Sequence, residues 1–219
     1  MRSRAAPPIV WPRRDSVSEI TASTPGFEHV KRFWNKSFNC TVAKILPGEY
    51  YVSHGNELIA TVLGSCVSAC VRDRRTALGA MNHFMLPEAT SASADDGAPF
   101  RYGAFAMEHM LNDLFRIGVR KQDLEVKIAG GGAMLGGGSV IGDRNVAFVK
   151  EFLGNEGIEV AAEHTGSNVA RNVLYDVRTG KMLVKQLAQV DASTQEAEKS
   201  YRRELAAPTA GAAGDIDLF

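Results

Sequence analysis

The sequence has no excess of charge of either sign. Lysine and arginine together number 25, and aspartate and glutamate also number 25, so the formal net charge is zero. A protein that binds along a nucleic acid neutralises phosphates with an excess of basic side chains. The balance of charge therefore argues against nucleic-acid binding as the main function.

Long hydrophobic runs are also missing. A helix that spans a bilayer needs about 20 consecutive and mostly apolar residues, and no stretch of this sequence approaches that length. The first residues likewise lack the apolar segment of a secretory signal. We therefore expect a protein that does not insert into the membrane and stays in the cytoplasm.

Cysteine is scarce, with only Cys40, Cys66 and Cys70 in the chain. Between Cys66 and Cys70 an extended chain at ~3.3 Å per residue separates the Cα atoms by about 13 Å. A disulfide needs Cα atoms within about 7 Å, and neither Cys-x2-Cys nor His-x3-His spacing supplies a zinc site. An odd number of cysteines suits a reducing compartment, and Cys40 and Cys70 are interpreted as structural.

What the sequence does contain is an alternation of strand and helix patterns. Apolar residues make up 45% of the chain, and short β-branched runs outnumber the segments with helical periodicity. Strands are predicted at 50–52, 58–63, 67–71, 79–86, 124–129, 158–162, 172–177 and 181–187, and helices at 100–117, 143–153 and 193–204. The pattern predicts a meander of strands between residues 50 and 86 and an α+β domain, a layered α/β sandwich with a mostly antiparallel sheet, over residues 41–205. Residues 1–40 are predicted to be a flexible arm and residues 206–219 a flexible tail.

One strand leads directly into a candidate nucleophile. The apolar run 58–63 ends at Gly64-Ser65-Cys66, where glycine permits a sharp turn and a small serine lets a carbonyl group approach. A thiolate is the reactive form of cysteine, and a nearby imidazole can accept its proton. His83 lies on the next predicted strand, so an antiparallel hairpin would bring it beside Cys66. Each residue alone is more often structural, but the pair indicates a cysteine hydrolase whose thiol and imidazole lie beside an opening to solvent.

The glycine-rich segment 130–138 does not fit a nucleotide-binding loop. It has no Gly-Lys-Ser/Thr ending, and its glycines do not keep the Gly-x-Gly-x-x-Gly spacing. Two interpretations remain for Gly131 and Gly132: a flexible loop that lets a substrate backbone approach, or a tight connection between a strand and a helix.

These residues fall into five blocks whose order and content resemble the CheD family of bacterial chemoreceptor glutamine deamidases. The blocks are Leu-Gly-Ser-Cys-Val at 63–67, Gly-Ala-Met-Asn-His-Phe-Met-Leu-Pro at 79–87, Lys-Ile-Ala-Gly-Gly-Gly-Ala at 127–133, Ile-Gly-Asp-Arg-Asn at 141–145, and His-Thr-Gly at 164–166 with Thr-Gly at 179–180. The resemblance implies that Cys66 is the nucleophile and His83 its base, on a fold like that of certain deamidating bacterial toxins. Some family members have a threonine six residues before the cysteine. Ala60 holds that position here, so Thr61 is either a third member that orients His83 or a plain β-branched strand residue.

The resemblance also implies a substrate and partners. The substrate is the cytoplasmic domain of chemoreceptors, on which specific glutamines become glutamates. Backbone N–H groups near Ser65 and Cys66 are expected to stabilise the oxyanion, and no metal or organic cofactor is required. The alternative hypothesis is a non-catalytic module that docks on chemotaxis proteins such as a CheC-type phosphatase. A third, a cysteine peptidase or amidase with another substrate, would use the same pair of residues.

Overall fold

The computed structural model describes residues 20, 22–55, 57–86, 98–133, 139–187 and 192–206. These residues form ten strands and three α-helices. The strands are β1 (Lys31–Asn35), β2 (Cys40–Lys44), β3 (Tyr50–Ser53), β4 (Glu57–Leu63), β5 (Val67–Asp73), β6 (Gly79–Asn82), β7 (Leu124–Gly130), β8 (Val160–Thr165), β9 (Ala170–Asp176) and β10 (Lys181–Leu187). The helices are α1 (Ala98–Arg116), α2 (Ser139–Asn155) and α3 (Ala192–Ala206). The mixed α+β composition that the sequence predicts is confirmed. None of these helices is long and apolar enough to cross a membrane.

The strands form two sheets. The first has the order β1-β2-β4-β9-β10, and the second has the order β3-β6-β5-β7-β8. The pairs β2 with β4 and β7 with β8 are parallel, whereas the other neighbouring strands are antiparallel. Helices α1 and α2 pack on the second sheet, while β3 and β7 contact β4 and β9 of the first sheet. Because both of its faces are covered, the second sheet contains the continuously buried strand β5, where six of seven residues are buried.

The predicted meander between residues 50 and 86 is wrong. Strand β4 belongs to the first sheet, whereas β3, β5 and β6 belong to the second. Short apolar runs at hairpin spacing cannot show which sheet a strand joins, because that choice depends on distant partners such as β9. The part of the prediction that pairs β5 with β6 in an antiparallel hairpin is confirmed.

The predicted flexible arm is wrong for residues 22–40. Strand β1 pairs with β2, and Phe27 and Val30 are buried in the main core. The ring of Phe27 meets those of Tyr50 and Tyr51 edge to face, with centroids 5.2 and 5.3 Å apart. Aromatic anchors in an irregular segment leave no periodic pattern in the sequence, which explains why the arm was predicted to be too long. Residues 1–19 of the arm and residues 207–219 of the predicted tail lie outside the described residues.

Candidate active site

The turn Gly64-Ser65-Cys66 connects the two sheets. It leaves β4 of the first sheet and enters β5 of the second. The Gly131 N–H donates to the Cys66 carbonyl at 2.8 Å, and the Gly132 N–H donates to the Gly64 carbonyl at 2.7 Å. The carbonyl of Ser65 accepts a hydrogen bond of 2.8 Å from the side-chain amide of Asn145. All three carbonyl groups of the turn are therefore engaged by the protein, which fixes the orientation of its backbone.

Gly131 and Gly132 donate backbone hydrogen bonds to this turn. Both are buried, and Gly131 adopts a φ of +66°, which favours glycine. A Cβ atom on Gly131 would lie 2.9 Å from the Gly142 carbonyl oxygen, and one on Gly132 would lie 2.6 Å from the Val169 carbonyl oxygen. The space beside both glycines is thus filled by backbone. Of the two interpretations of the sequence, their placement favours the tight connection; the following residues 134–138 lie outside the described part of the chain.

His83 is brought beside Cys66 by the β5–β6 hairpin. Beyond β6, Val67 and Phe84 exchange backbone hydrogen bonds of 2.9 and 3.0 Å. This bridge continues the hairpin register past Asn82. Cys66 then falls opposite Met85 and lies diagonally across from His83. The Cys66 Sγ, a ring nitrogen of His83 and a carboxylate oxygen of Glu198 lie within 4.8 Å of one another. The predicted proximity of Cys66 and His83 is confirmed.

Thr61 fixes the tautomer of His83. Its hydroxyl donates to the Ile45 carbonyl at 2.9 Å, and its Oγ1 lies 2.7 Å from His83 Nδ1. A hydroxyl has a single proton. Since the carbonyl of Ile45 can only accept, Oγ1 must accept a hydrogen bond from an Nδ1–H group. The lone pair of the imidazole is then on Nε2, and that atom is buried with no hydrogen-bond partner among the described residues. A free, oriented lone pair is what a general base requires.

Helix α3 brings a third side chain, Glu198, to the pair. Its Oε1 accepts a hydrogen bond of 2.7 Å from the Gly64 N–H. The carboxylate also interacts with the Ser65 N–H and with the thiol of Cys66. The sequence predicts only a helix at 193–204, since nothing local distinguishes Glu198 from the other glutamates of this segment. The contact between residues 64 and 198 depends entirely on the tertiary fold.

The site is closed in this structure. Cys66 is 0% and His83 1% exposed, so the predicted opening to solvent is wrong for the thiol in this state. Burial raises the pKa of the Cys66 thiol well above its usual value, and the nearby Glu198 carboxylate raises it further. Burial also lowers the pKa of His83 to about 3. The pair is therefore a neutral thiol beside a neutral imidazole, and the thiolate that reaction requires is disfavoured.

A cleft reaches His83 from the side of α1. It has a volume of about 140 Å³, and its walls include Tyr102, Phe105 and His109 of α1 as well as His83, but not Cys66. Phe105 is 60% exposed, and its ring centroid lies 4.1 Å from that of His109. The cleft therefore gives access toward the imidazole and not toward the thiol.

Asn145 is a positioning residue that the sequence analysis did not single out. Besides its bond to Ser65, its Oδ1 accepts a hydrogen bond of 2.9 Å from the Leu86 N–H. One buried amide thus links the segment that carries the thiol to the segment that follows the imidazole. The sequence did contain a signal: Asn145 precedes Val149 by one helical turn on the apolar face of α2, where a polar side chain needs a buried partner.

Cys66, His83 and Glu198 are also the group that could hold a metal ion. Sulfur, imidazole nitrogen and carboxylate oxygen are the three ligand types of zinc. Local spacing motifs in the sequence do not indicate this set, because its members lie far apart along the chain. A metal ion bound there would be coordinated by the thiolate and would compete with its use as a nucleophile.

The burial of His83 predicts a pH dependence of stability. Because its pKa falls from an ordinary 6.5 to about 3 on folding, the unfolded chain binds a proton in that interval that the folded chain does not. The contribution of this group to the free energy of unfolding is therefore fully present above about pH 6.5. It is lost as the pH falls toward 3. We expect this group to lower the free energy of unfolding, measured by urea denaturation, by up to about 3 kcal/mol between pH 7 and pH 4. His83→Gln should remove that part of the decrease; equal decreases in both proteins would contradict a buried neutral imidazole.

Comparison with known proteins assigns a family. The family model described as CheD chemotactic sensory transduction matches residues 85–186. The chain is 44% identical over 200 residues to a probable chemoreceptor glutamine deamidase CheD of Hahella chejuensis, which covers 90% of this chain and 94% of that protein. A protein of the same description from Herminiimonas arsenicoxydans is 47% identical over 192 residues, covering 85% and 93% of the two chains.

Solved structures are more distant. A Neisseria meningitidis protein of the DUF152 family has a TM-score of 0.34 and 15% identity, over 55% of this chain and 54% of that one. A score this low supports no argument about fold or function. The relatives in sequence, in contrast, are identical at more than two residues in five over nearly the whole of both chains, and on that ground this chain belongs to the CheD family.

Proposed function

We propose that this chain hydrolyses the side-chain amide of specific glutamines on bacterial chemoreceptors to glutamate, with Cys66 as nucleophile and His83 as base. The observation that carries the proposal is the geometry of His83: Thr61 orients its ring and leaves the Nε2 lone pair free, and a ring nitrogen lies within 4.8 Å of the Cys66 thiol. Family membership supplies the substrate, because the relatives are described as chemoreceptor glutamine deamidases.

The reaction follows from the arrangement of these groups. When the site is open, His83 Nε2 takes the proton of the Cys66 thiol, and the thiolate attacks the amide carbon of the substrate. The oxyanion accepts hydrogen bonds from the N–H groups of Gly64 and Ser65, the same groups that bind the Glu198 carboxylate in the closed state. The C–N bond breaks, and ammonia leaves with the proton from His83. A water deprotonated by Nε2 then hydrolyses the thioester and regenerates the thiol.

The proposed reaction also implies a cellular compartment and a partner protein. The substrate is the cytoplasmic domain of the receptor, and the compartment is the cytoplasm; in support, Cys66 and Cys70 are thiols that form no disulfide, as in a reducing environment. Family membership supports a CheC-type phosphatase as a partner. The placement of the nucleophile where two contacting sheets are joined supports the likeness to the layered α/β fold of deamidating toxins.

Mass measurement of receptor fragments tests this function. Incubation of the purified full chain with receptor cytoplasmic fragments should raise the mass of particular glutamine peptides by about one dalton, because an amide becomes an acid. In water enriched in oxygen-18, the same peptides should gain about two daltons more, since the new oxygen comes from solvent. Stable binding of the fragments with no change in mass would instead support the docking module, and cleavage of their backbone would indicate a peptidase.

A further inference from the structure

Helix α3 is attached to the active site along one face. Glu198 and Tyr201 lie three residues apart on that face, and Tyr201 is buried. The hydroxyl of Tyr201 is hydrogen-bonded to that of Tyr102 of α1. Its ring packs so closely on Gly48 that a Cβ atom there would lie 2.8 Å from Tyr201 Cε2. The other face of the helix is solvated, as shown by the ion pair of Glu196 with Arg203, whose side chains are 64% and 70% exposed.

The carboxylate of Glu198 occupies the place where the reaction product would lie. One oxygen accepts from the Gly64 N–H at 2.7 Å, which is an N–H group proposed to bind the oxyanion. The carboxylate also meets the thiol of Cys66. Deamidation of a glutamine leaves the side chain of a glutamate in this position. Glu198 is such a side chain, presented by a helix of the protein itself.

Glu198 does not have the contacts of a catalytic residue. The third group that orients His83 is Thr61, through Nδ1, and Nε2 has no hydrogen-bond partner among the described residues. A carboxylate beside the thiol raises the thiol pKa, which opposes formation of the nucleophile. The position of Glu198 is therefore that of a ligand in the site.

We infer that α3 is an internal product mimic: it occupies the binding place of a glutamine-bearing substrate helix, holds the enzyme in a closed state through Glu198, and must be displaced by the receptor. This inference rests on the proposed function. A ligand tethered in the same chain has an effective concentration in the millimolar range. A substrate helix then competes with α3, and its apparent affinity is reduced by the small fraction of molecules in which the site is open.

The first test converts the mimic into a substrate. In Glu198→Gln, the introduced amide lies where a substrate amide is attacked. The Cys66 thiolate forms a C–S bond to its carbon, the C–N bond breaks and ammonia leaves, and water then restores the thiol and yields glutamate. We expect the peptide that contains position 198 to gain about one dalton relative to its encoded sequence, or the intact protein to lose about 17 daltons if the internal thioester persists.

Two matched variants control this experiment. With Cys66→Ala added to Glu198→Gln, the introduced amide should remain intact. Glu196→Gln places an amide on the solvated face of the same helix, two residues away, and should also remain unchanged. If the amide at 198 persisted in a preparation that deamidates receptor fragments, α3 would not occupy the substrate site and the inference would be overturned.

The second test removes the Glu198 carboxylate and measures access to the thiol, so it does not require catalytic turnover. In Glu198→Ala, alkylation of Cys66 by iodoacetamide, followed by peptide mass, should accelerate by at least about 10-fold, since the closed state loses its main polar contact. Cys40 and Cys70, both buried, serve as internal references. An unchanged alkylation rate would show that α3 does not cover the thiol in solution.

The same variant separates the two proposals. Glu198→Ala should deamidate receptor fragments faster than the unaltered chain. A slower rate would mean that Glu198 takes part in catalysis, which overturns the inference and leaves the proposed function intact. Self-deamidation of Glu198→Gln, together with no activity on receptor fragments by any variant, would support the internal mimic and reject chemoreceptors as the substrate.

Discussion

Cys66→Ala is expected to lower deamidation of receptor fragments by at least about 10⁴-fold, because no other group in the site can form the thioester. Cys66 is fully buried, and the substitution removes a single sulfur atom without adding volume. The cost to folding should therefore be small, about 1 kcal/mol. Ammonia release and peptide mass measure the activity, and thermal unfolding measures the fold.

Cys70→Ala is the matched control for this prediction. Cys70 is equally buried, lies on strand β5, which begins directly after Cys66, and pairs with Met81 inside the sheet. The same chemical change there should leave the rate of deamidation close to that of the unaltered chain. A Cys66→Ala protein as active as the original, or a Cys70→Ala protein that is folded and inactive, would show that the nucleophile is assigned to the wrong sulfur.

His83→Gln is expected to reduce kcat/KM by about 10³-fold, the usual contribution of a positioned general base. The burial that raises the pKa of the thiol makes the base necessary, since few molecules would carry a thiolate without it. Glutamine keeps a polar group beside Thr61 but cannot take and return a proton near neutral pH. The residual activity of the variant should increase with pH, because hydroxide then replaces the imidazole in forming the thiolate. A variant with the full rate and an unchanged pH profile would contradict the role of His83.

Substitutions at Thr61 separate its two interpretations. Thr61→Val keeps the β-branched shape and removes the hydroxyl that accepts from His83 Nδ1, so the imidazole can adopt the other tautomer. We expect kcat to fall by about 10-fold or more with little change in stability, and Thr61→Ser to restore most of it. If the valine variant kept its full kcat and pH profile, Thr61 would be a strand residue only.

Access to the thiol links these predictions to the fold. Every rate above depends on how often α3 leaves the turn, since the closed state holds a protonated thiol and a neutral imidazole. A comparison of the nucleophile and base variants on a Glu198→Ala background would measure the chemical step with less contribution from opening. The effects of Cys66→Ala and His83→Gln should remain as large on that background.

Much of the site could be predicted from short segments. The run 58–63, the small residues Gly64 and Ser65 and the following cysteine predict a strand that ends in a tight turn, and the β5–β6 hairpin is local in the chain. Residues across one hairpin keep a register set by backbone hydrogen bonds. Cys66 and His83 are diagonal neighbours in the register that the Val67–Phe84 bridge continues, so their proximity follows from their positions. The burial of Asn145 could also be predicted, because it is an amide on the apolar face of a helix. Its hydrogen-bond partner, the Ser65 carbonyl, could not.

By itself, the sequence determined the α+β composition, the location of the regular elements after residue 50 and the cysteine and histidine that form the pair, because periodicity and hairpin pairing act over a few residues. The tertiary structure alone decided the division of the strands into two sheets, the bond from Asn145 to the turn across 80 positions and the closure of the site by Glu198 across 134 positions. Contacts at such separations depend on how whole sheets and helices pack, and the residues at either end carry no local signal of each other.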